Sequence, residues 1–215
     1  MHLGEGKRII DLTLPVNGTL SGVSIEPART LTADGWNASW LRLYSHSGTH
    51  MDAPLHFEIN PQTIDELPLE RLISRAWVVD LTFIRPKEEI LVHHVSSSLK
   101  GFKKGESILM YSGWSKRLGT DEYRDDLPRI SKELAQWMGQ KGVNILGVEP
   151  PSVADVNNME EVTEIHTILM ENDIIIAEGL TNLDSLTKQE VTLIALPLKF
   201  EKGDGAPARI IALEE

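Results

Sequence analysis

Two short runs of the sequence are apolar at every position, and they constrain the fold more than any other feature. Residues 145–148 read ILGV and residues 174–177 read IIIA. A strand that is apolar on both faces is typical of a sheet covered on both sides. The two runs therefore predict central strands that lie beneath helices.

The rest of the chain alternates short β-branched runs with helical patterns. Strands are predicted over residues 8–14, 41–44, 76–83, 107–111, 144–148, 173–177, 191–196 and 209–213. Helices are predicted over residues 67–73, 130–142 and 161–170, the first of them after a capping-box spacing of Thr63 and Glu66. The second helix is expected to end at either Gly139 or Gly142. This alternation predicts an α/β fold: one domain over residues 1–215, with a mixed, curled, barrel-like central β-sheet flanked by helices.

Composition excludes several classes of protein. The chain has no cysteine, so any metal must be held by nitrogen and oxygen ligands, and no thiol nucleophile exists. It has 21 basic and 32 acidic residues, a net charge of −11, and no basic run, which disfavours nucleic acid as a partner. Because no stretch approaches about 18 consecutive apolar residues and the start lacks a signal-peptide pattern, we expect no membrane association and a cytoplasmic location.

Three histidines and an aspartate fall within residues 46–56, which read HSGTHMDAPLH. If His50 and Asp52 are extended, their side chains point to one side, and a tight turn at Gly48 can bring His46 beside them. Imidazole nitrogens and carboxylate oxygens bind divalent ions, and three protein ligands leave a position open for water or substrate. The cluster therefore predicts a metal site where a strand ends.

Two further candidates lie far along the chain. Glu178 follows the apolar run at residues 174–177, at a strand end where sites of α/β proteins commonly form. The second candidate, His166, lies within the helix predicted over residues 161–170. If these residues are not part of a site, Glu178 is an exposed turn residue and His166 lies on the polar face of its helix.

Several other residues allow more than one interpretation. Glu149 follows another apolar run and is interpreted as an outer metal ligand, a hydrogen-bond partner of a ligating histidine, or a wall of the pocket. The adjacent His93 and His94 are predicted to be structural or solvated.

The five tryptophans divide into two groups. Trp77 and Trp137 lie in regular apolar patterns and are predicted to be core residues. Trp36, Trp40 and Trp114 lie beside turns, where they either pack or line a pocket for an aromatic substrate.

The chain resembles the cyclase-like metal-dependent hydrolases, a family that includes bacterial kynurenine formamidase and isatin hydrolase. Residues 46–56 match every fixed position of the family signature H-x-G-T-H-x-D-x-P-x-H. Further similarity covers residues 10–13, 112–114, 148–152 and 177–183, together with His166. Three positions differ from the family pattern: Ser112 stands where threonine is usual, Glu149 where aspartate is usual, and Gly179 where asparagine is usual.

The resemblance implies a role for each candidate. His46, His50 and Asp52 would bind a first metal ion, His166 and Glu178 a second, with Asp52 bridging them. His56 would transfer protons. The resemblance also implies one or two divalent ions, Zn²⁺ in preference to Mn²⁺, a small-molecule substrate, and a homodimer or larger homo-oligomer.

The activity implied is hydrolysis of an amide-type carbonyl compound by metal-activated water, with His56 as the proton shuttle. The preferred substrate is an arylformamide such as N-formylkynurenine. Three alternatives stay open: an isatin-type cyclic amide hydrolase, a polyketide-cyclase or lyase-like enzyme, and a non-catalytic metal-binding module. The sequence contains no cysteine and no G-x-S-x-G motif, so no acyl-enzyme is expected.

Overall fold

The fold consists of twelve strands and five helices in the part of the chain that the computed structural model describes, residues 7–214. The strands are β1 (Arg8–Asp11), β2 (Val23–Arg29), β3 (Ala38–Leu43), β4 (His50–Asp52), β5 (Ile73–Asp80), β6 (Glu89–Ile90), β7 (Ser107–Tyr111), β8 (Arg129–Ile130), β9 (Ile145–Val148), β10 (Ile175–Glu178), β11 (Glu190–Pro197) and β12 (Gly205–Glu214). The helices are α1 (Leu31–Asp34), α2 (Val92–Ser96), α3 (Asp121–Asp125), α4 (Lys132–Lys141) and α5 (Met159–Glu171). None of these helices has the length and apolar character needed to cross a membrane.

The main sheet closes on itself. Its strand order is β1-β12-β11-β5-β7-β9-β10-β4, and β4 also pairs with β12. The neighbours from β5 to β10 are parallel, whereas β4, β11 and β12 pair antiparallel with their neighbours. The α/β fold with a mixed, barrel-like sheet flanked by helices is therefore confirmed.

The closed sheet separates two apolar cores. On β7, Leu109 belongs to the inner core, inside the closed sheet, whereas Ile108 and Met110 belong to the outer core, between the sheet and the helices. The outer core also contains buried side chains of α4 and α5, among them Leu134 and Ile165. Since successive residues of a strand point to opposite faces, the helices cover the outer face and the other core fills the inside of the sheet.

The two longest helices begin and end at signals that the sequence carries. Ser131 caps α4 by accepting a hydrogen bond from the amide of Leu134, and Gly142 ends it in a left-handed conformation. Asn158 caps α5 by accepting from the amide of Glu161. The helices predicted over residues 130–142 and 161–170 are thus confirmed, apart from their first or last residues.

The prediction of a helix over residues 67–73 is wrong. The capping box of Thr63 and Glu66 is present, but it opens a single 3-10 turn, and a second 3-10 turn spans Leu69–Arg71. Pro68 forces the residue before it out of the helical region, and Leu67 is extended with ψ of 126°. Ile73 already begins β5, where pairing with β11 outweighs the local helical pattern.

β2 and β3 form a separate antiparallel hairpin outside the main sheet. The sequence pattern predicted only its second strand, and residues 41–44 are offset from the observed Ala38–Leu43. The hairpin exposes large apolar side chains, including Trp40, which is 74% exposed. The loop that follows β3 leads directly into residues 46–56.

Gly179 follows β10 and brings two segments into close contact. Its φ is +67°, and a Cβ atom placed on it would lie 2.4 Å from the carbonyl oxygen of Gly48. Asparagine, the residue usual at this position in the family pattern, tolerates such a φ but needs room for its side chain. Glycine therefore allows the segment that carries His46 and His50 to lie against the end of β10.

Gly179→Ala is expected to lower the free energy of unfolding by about 2–5 kcal/mol, since a left-handed alanine costs about 1–2 kcal/mol and overpacking about 1–3 kcal/mol. Urea unfolding measures this loss. Gly119→Ala is the matched control, because Gly119 has a φ of +87° and nothing within 4 Å of an added Cβ. The control should lose about 1–2 kcal/mol. Equal losses in the two variants would contradict the close contact.

Candidate metal centre

Strand β4 closes the sheet and carries two of the predicted ligands. His50 and Asp52 are buried and, being two residues apart on a strand, point to the same side, whereas Met51 between them belongs to the inner core. The register between β4 and β10 places Glu178 opposite His50. His50 Nε2 lies 3.3 Å from Glu178 Oε2 and 3.6 Å from Asp52 Oδ1. Strand pairing thus brings together residues that are more than a hundred positions apart.

His46 reaches the same place from the loop after β3. Gly48, with φ of +63°, turns the chain so that His46 Nδ1 lies 2.8 Å from Asp52 Oδ1. Burial alone would lower the pKa of His46, but the hydrogen bonds and charges of Asp52 and Asp204 raise it to about 9. The turn inferred from the sequence therefore brings the first histidine to the aspartate.

His166 comes from the buried face of α5. Its Nδ1–H donates to the carbonyl of Val162 at 2.7 Å, one helical turn earlier. This bond leaves Nε2 facing Glu178 Oε1 at 3.5 Å and Asp52 Oδ2 at 3.9 Å. Phe57 stacks on the imidazole with ring centroids 4.6 Å apart, which holds the ring in place. The exposed helical position considered for His166 is thus excluded.

His56 lies at the outer side of the cluster, in the 3-10 turn Pro54–Phe57. Its ring stacks on that of His46, with centroids 3.9 Å apart and an interplanar angle of 27°. Its side chain is 26% exposed, more than that of any other predicted site residue. Burial lowers the pKa of His56, and the charges of His46 and His166 act in the same direction, whereas the charge of Asp52 partly offsets them.

Two buried carboxylates lie at the centre of the cluster. Burial opposes ionisation of Asp52, but hydrogen bonding to His46 and the charges of the surrounding imidazoles hold its pKa well below the usual range. Burial and the charge of Asp52 both favour the neutral form of Glu178, yet hydrogen bonds from His166 and His50 lower its pKa. Both carboxylates are therefore ionised and need positive charge beside them.

The donor set fits a divalent ion. Ligand atoms of His50, Asp52 and Glu178 lie within 4.8 Å of one another, and so do those of His46, Asp52 and His56. Asp52 Oδ2 is buried and has no hydrogen-bond partner within residues 7–214. A buried carboxylate oxygen without a donor is what a bound cation would satisfy. All six residues that the resemblance implied are thus in one cluster, and their individual roles stay predictions.

Asp204 also belongs to the cluster, although no sequence pattern points to it. It lies just before β12, and its Oδ2 is 3.0 Å from His46 Nε2 and 3.7 Å from His56 Nδ1. No motif marks this aspartate, because its place depends on the pairing of β12 with β4. The short G-D-G context is an ordinary turn signal.

Glu149 is buried, but its carboxylate accepts hydrogen bonds from a neighbouring loop and not from a proposed metal ligand. Its Oε2 accepts hydrogen bonds from the amides of Ser112 and Trp114 at 2.8 and 3.1 Å, and its Oε1 accepts from Ser115 Oγ at 2.7 Å. None of the three roles considered for Glu149 describes this arrangement. The carboxylate shapes residues 112–115 by satisfying donors that precede and open a 3-10 turn.

The remaining aromatic and histidine predictions have mixed outcomes. Trp77 is buried in the outer core as predicted, whereas Trp137 is half-buried against it. Trp114 is also buried, and its Nε1 donates to the carbonyl of Tyr123 at 2.9 Å, so it packs and does not line an open pocket. His94 is structural, because its Nδ1 accepts the amide of Leu91 at the start of α2.

Comparison with known proteins identifies the family. The family model described as "Putative cyclase" matches residues 10–155, more than half of the chain, so the protein belongs to this cyclase family. The matched segment contains residues 46–56.

Two relatives extend the similarity. The kynurenine formamidase of Salinibacter ruber is 33% identical over 179 residues, which cover 81% of this chain and 79% of that protein. The kynurenine formamidase of Bordetella petrii is 26% identical over 218 residues, which cover 97% of this chain and 99% of that protein. The protein is therefore a hydrolase of the cyclase family.

Solved structures share the fold. An isatin hydrolase bound to the product analogue thioisatinate aligns with a TM-score of 0.88 at 24% identity, covering 97% of this chain and 92% of that one. A protein described as a potential metal-dependent hydrolase with cyclase activity aligns with a TM-score of 0.77 at 22% identity, covering 98% and 99%. The closed sheet and the helices around it are thus common to these proteins.

Glu149→Ala should lower the free energy of unfolding by about 2–5 kcal/mol, because each buried donor left without a partner costs about 1–3 kcal/mol. The metal content should match that of the wild type, since the carboxylate is engaged by residues 112–115. Urea unfolding and elemental analysis measure the two quantities. Loss of metal from a variant of wild-type stability would show that Glu149 belongs to the metal centre.

Proposed function

We propose that the protein hydrolyses the C–N bond of a small amide-type substrate, preferably an arylformamide such as N-formylkynurenine. The observation that carries this proposal is the convergence of imidazoles and two buried carboxylates on one cluster, in which Asp52 Oδ2 has no hydrogen-bond partner among residues 7–214. The relatives named kynurenine formamidase support the choice of substrate.

The ligands of this proposal are the residues of the cluster. His46, His50 and Asp52 would hold a first divalent ion, and His166 and Glu178 a second that shares Asp52. When bound, such an ion supplies Lewis acidity, which makes water more acidic and polarises a carbonyl group. Nitrogen and oxygen donors suit Zn²⁺ and also Mn²⁺. We propose Zn²⁺ as the preferred ion, with one or two ions in each chain.

His56 is proposed to move the protons. Hydrolysis of an amide adds water across the C–N bond, so one proton leaves the attacking water and one reaches the departing nitrogen. A ring nitrogen of neutral His56 can accept the first proton and deliver it as the second. The partly exposed position of the ring and its stacking on His46 support this role.

The experiment that tests the proposal is hydrolysis in ¹⁸O-labelled water with zinc- or manganese-loaded protein. N-Formylkynurenine, formanilide, isatin and a cyclic imide are supplied in turn, and the acid product is analysed by mass spectrometry. We expect the two formamides to be the best substrates, each giving formate with one solvent oxygen. Preferred turnover of isatin would favour the cyclic amide alternative, and turnover without solvent oxygen would favour a lyase. No turnover by metal-loaded protein would refute the proposal.

His56→Ala is expected to lower kcat by about 10²- to 10⁴-fold, the usual contribution of a general acid–base residue. Its metal content should equal that of the wild type, because the five ligands remain. Steady-state kinetics and elemental analysis on the same preparation measure both.

Two further variants make this result interpretable. Asp52→Ala should lose the metal, because it removes the carboxylate shared by both groups of donors. His93→Ala, which changes an exposed histidine of α2, should keep wild-type activity. A His56→Ala protein that lacks metal would place His56 among the ligands and refute the shuttle role.

A homodimer or larger homo-oligomer is part of this proposal. The hairpin formed by β2 and β3 supports it, since a two-stranded hairpin that exposes Trp36, Trp40 and Leu41 gains stability when another surface covers it. A cytoplasmic location stays a prediction.

A further inference from the structure

Each of the three histidines proposed as ligands has one ring nitrogen facing the buried carboxylates and the other nitrogen held by a second acceptor. His50 Nδ1 lies 3.0 Å from the carbonyl of Gly48, and His166 Nδ1 lies 2.7 Å from the carbonyl of Val162. In both rings a backbone acceptor leaves Nε2 facing the carboxylates. Such a bond fixes which nitrogen carries the proton and therefore which one can bind a metal.

His46 is arranged the other way round. Its Nδ1 faces Asp52 Oδ1 at 2.8 Å, and its Nε2 faces Asp204 Oδ2 at 3.0 Å. The acceptor here is a side chain and not a backbone carbonyl. Among the three rings, His46 is thus the one whose outer partner a substitution can remove.

The backbone holds Asp204 in place independently of its contact with His46. The amide of Ala53 donates to the carbonyl of Asp204 at 2.9 Å, which ties this residue to the end of β4. Ser45 Oγ lies 3.4 Å from Asp204 Oδ2 and adds a second donor. The carboxylate is therefore positioned by the same strand pairing that positions Asp52.

The neighbouring Gly205 shapes the other edge of the ring. A Cβ atom placed on Gly205 would lie 2.6 Å from His46 Cε1 and 2.9 Å from the carbonyl oxygen of Met51. The His46 imidazole therefore packs directly against the backbone of Gly205, and its Nε2 contacts the Asp204 carboxylate. Asp204, directly before β12, and Gly205, its first residue, thus together define the position of the His46 ring.

We propose that Asp204 is a positioning residue of the metal centre, which holds His46 through Nε2 and presents Nδ1 as the ligand atom. The inference rests on the proposed metal site. In this arrangement Asp204 acts through His46 and is not itself a ligand. Its second neighbour is His56, whose Nδ1 is 3.7 Å from the same oxygen and whose ring stacks on His46. Asp204 thereby fixes the position of the His46 ring and, through the stacking contact, that of the His56 ring.

The test measures zinc affinity, which does not depend on finding the substrate. Metal-free protein is titrated with Zn²⁺ against a chromophoric chelator for the wild type, Asp204→Ala, Asp204→Asn and Asp65→Ala. Asp65 is the matched control, since its Oδ1 accepts from the amide of Lys202 in the same loop and from Thr63 Oγ1. It stabilises the loop without contacting His46.

Asp204→Ala is expected to weaken zinc binding by about 10- to 100-fold, the usual cost of removing the partner of a ligating histidine. Asp204→Asn should weaken it by a smaller factor, because the amide oxygen can still accept Nε2–H without the negative charge. Asp65→Ala should bind zinc as the wild type does.

Three results would overturn the inference. Asp204→Ala could bind zinc as tightly as the wild type, or Asp65→Ala could weaken binding as much as Asp204→Ala does. If Asp204→Ala does not fold, wild-type affinity in Asp204→Asn is the contradicting result. Failure of the proposed function is distinguishable from these: wild-type protein that binds no zinc refutes the metal site itself, and protein that binds zinc but hydrolyses no amide refutes only the activity.

Discussion

The buried carboxylate of Asp52 is the constraint on which the whole site depends. One of its oxygens lies between His46 and His50, and the other is buried without a hydrogen-bond donor from residues 7–214. Glu178 is buried in the same cluster. Two carboxylates removed from water together are costly unless cations or donors compensate them. The surrounding imidazoles partly provide this compensation, and a divalent ion would complete it.

Closure of the sheet is what brings these groups together. The three-residue strand β4 pairs with β10 on one side and with β12 on the other. The first pairing places Glu178 opposite His50, and the second places Gly205 opposite Asp52, with Asp204 directly before it. Because a shift of one residue would turn every side chain of β4 to the other face, the register of this short strand determines the site.

The part of the site that was predictable from sequence is local. Residues 46–56 carry their own spacing and turn, so a metal site could be inferred from them directly. Glu178 was placed by the apolar run before it, whereas its burial opposite His50 depends on strand register. Asp204 was missed because only the pairing of β12 with β4 brings it to His46. The helix predicted over residues 67–73 failed for a similar reason, since pairing in the sheet outweighs a local pattern.

Anomalous diffraction at the zinc absorption edge tests the central claim most directly. Crystals grown with zinc would be measured on both sides of the edge, and the difference map would locate each ion. If the cluster binds zinc, we expect a peak at about 2.0–2.2 Å from a carboxylate oxygen of Asp52 and from imidazole nitrogens of the cluster. Zinc-loaded crystals with no peak among these side chains, or with peaks only on the protein surface, would contradict it.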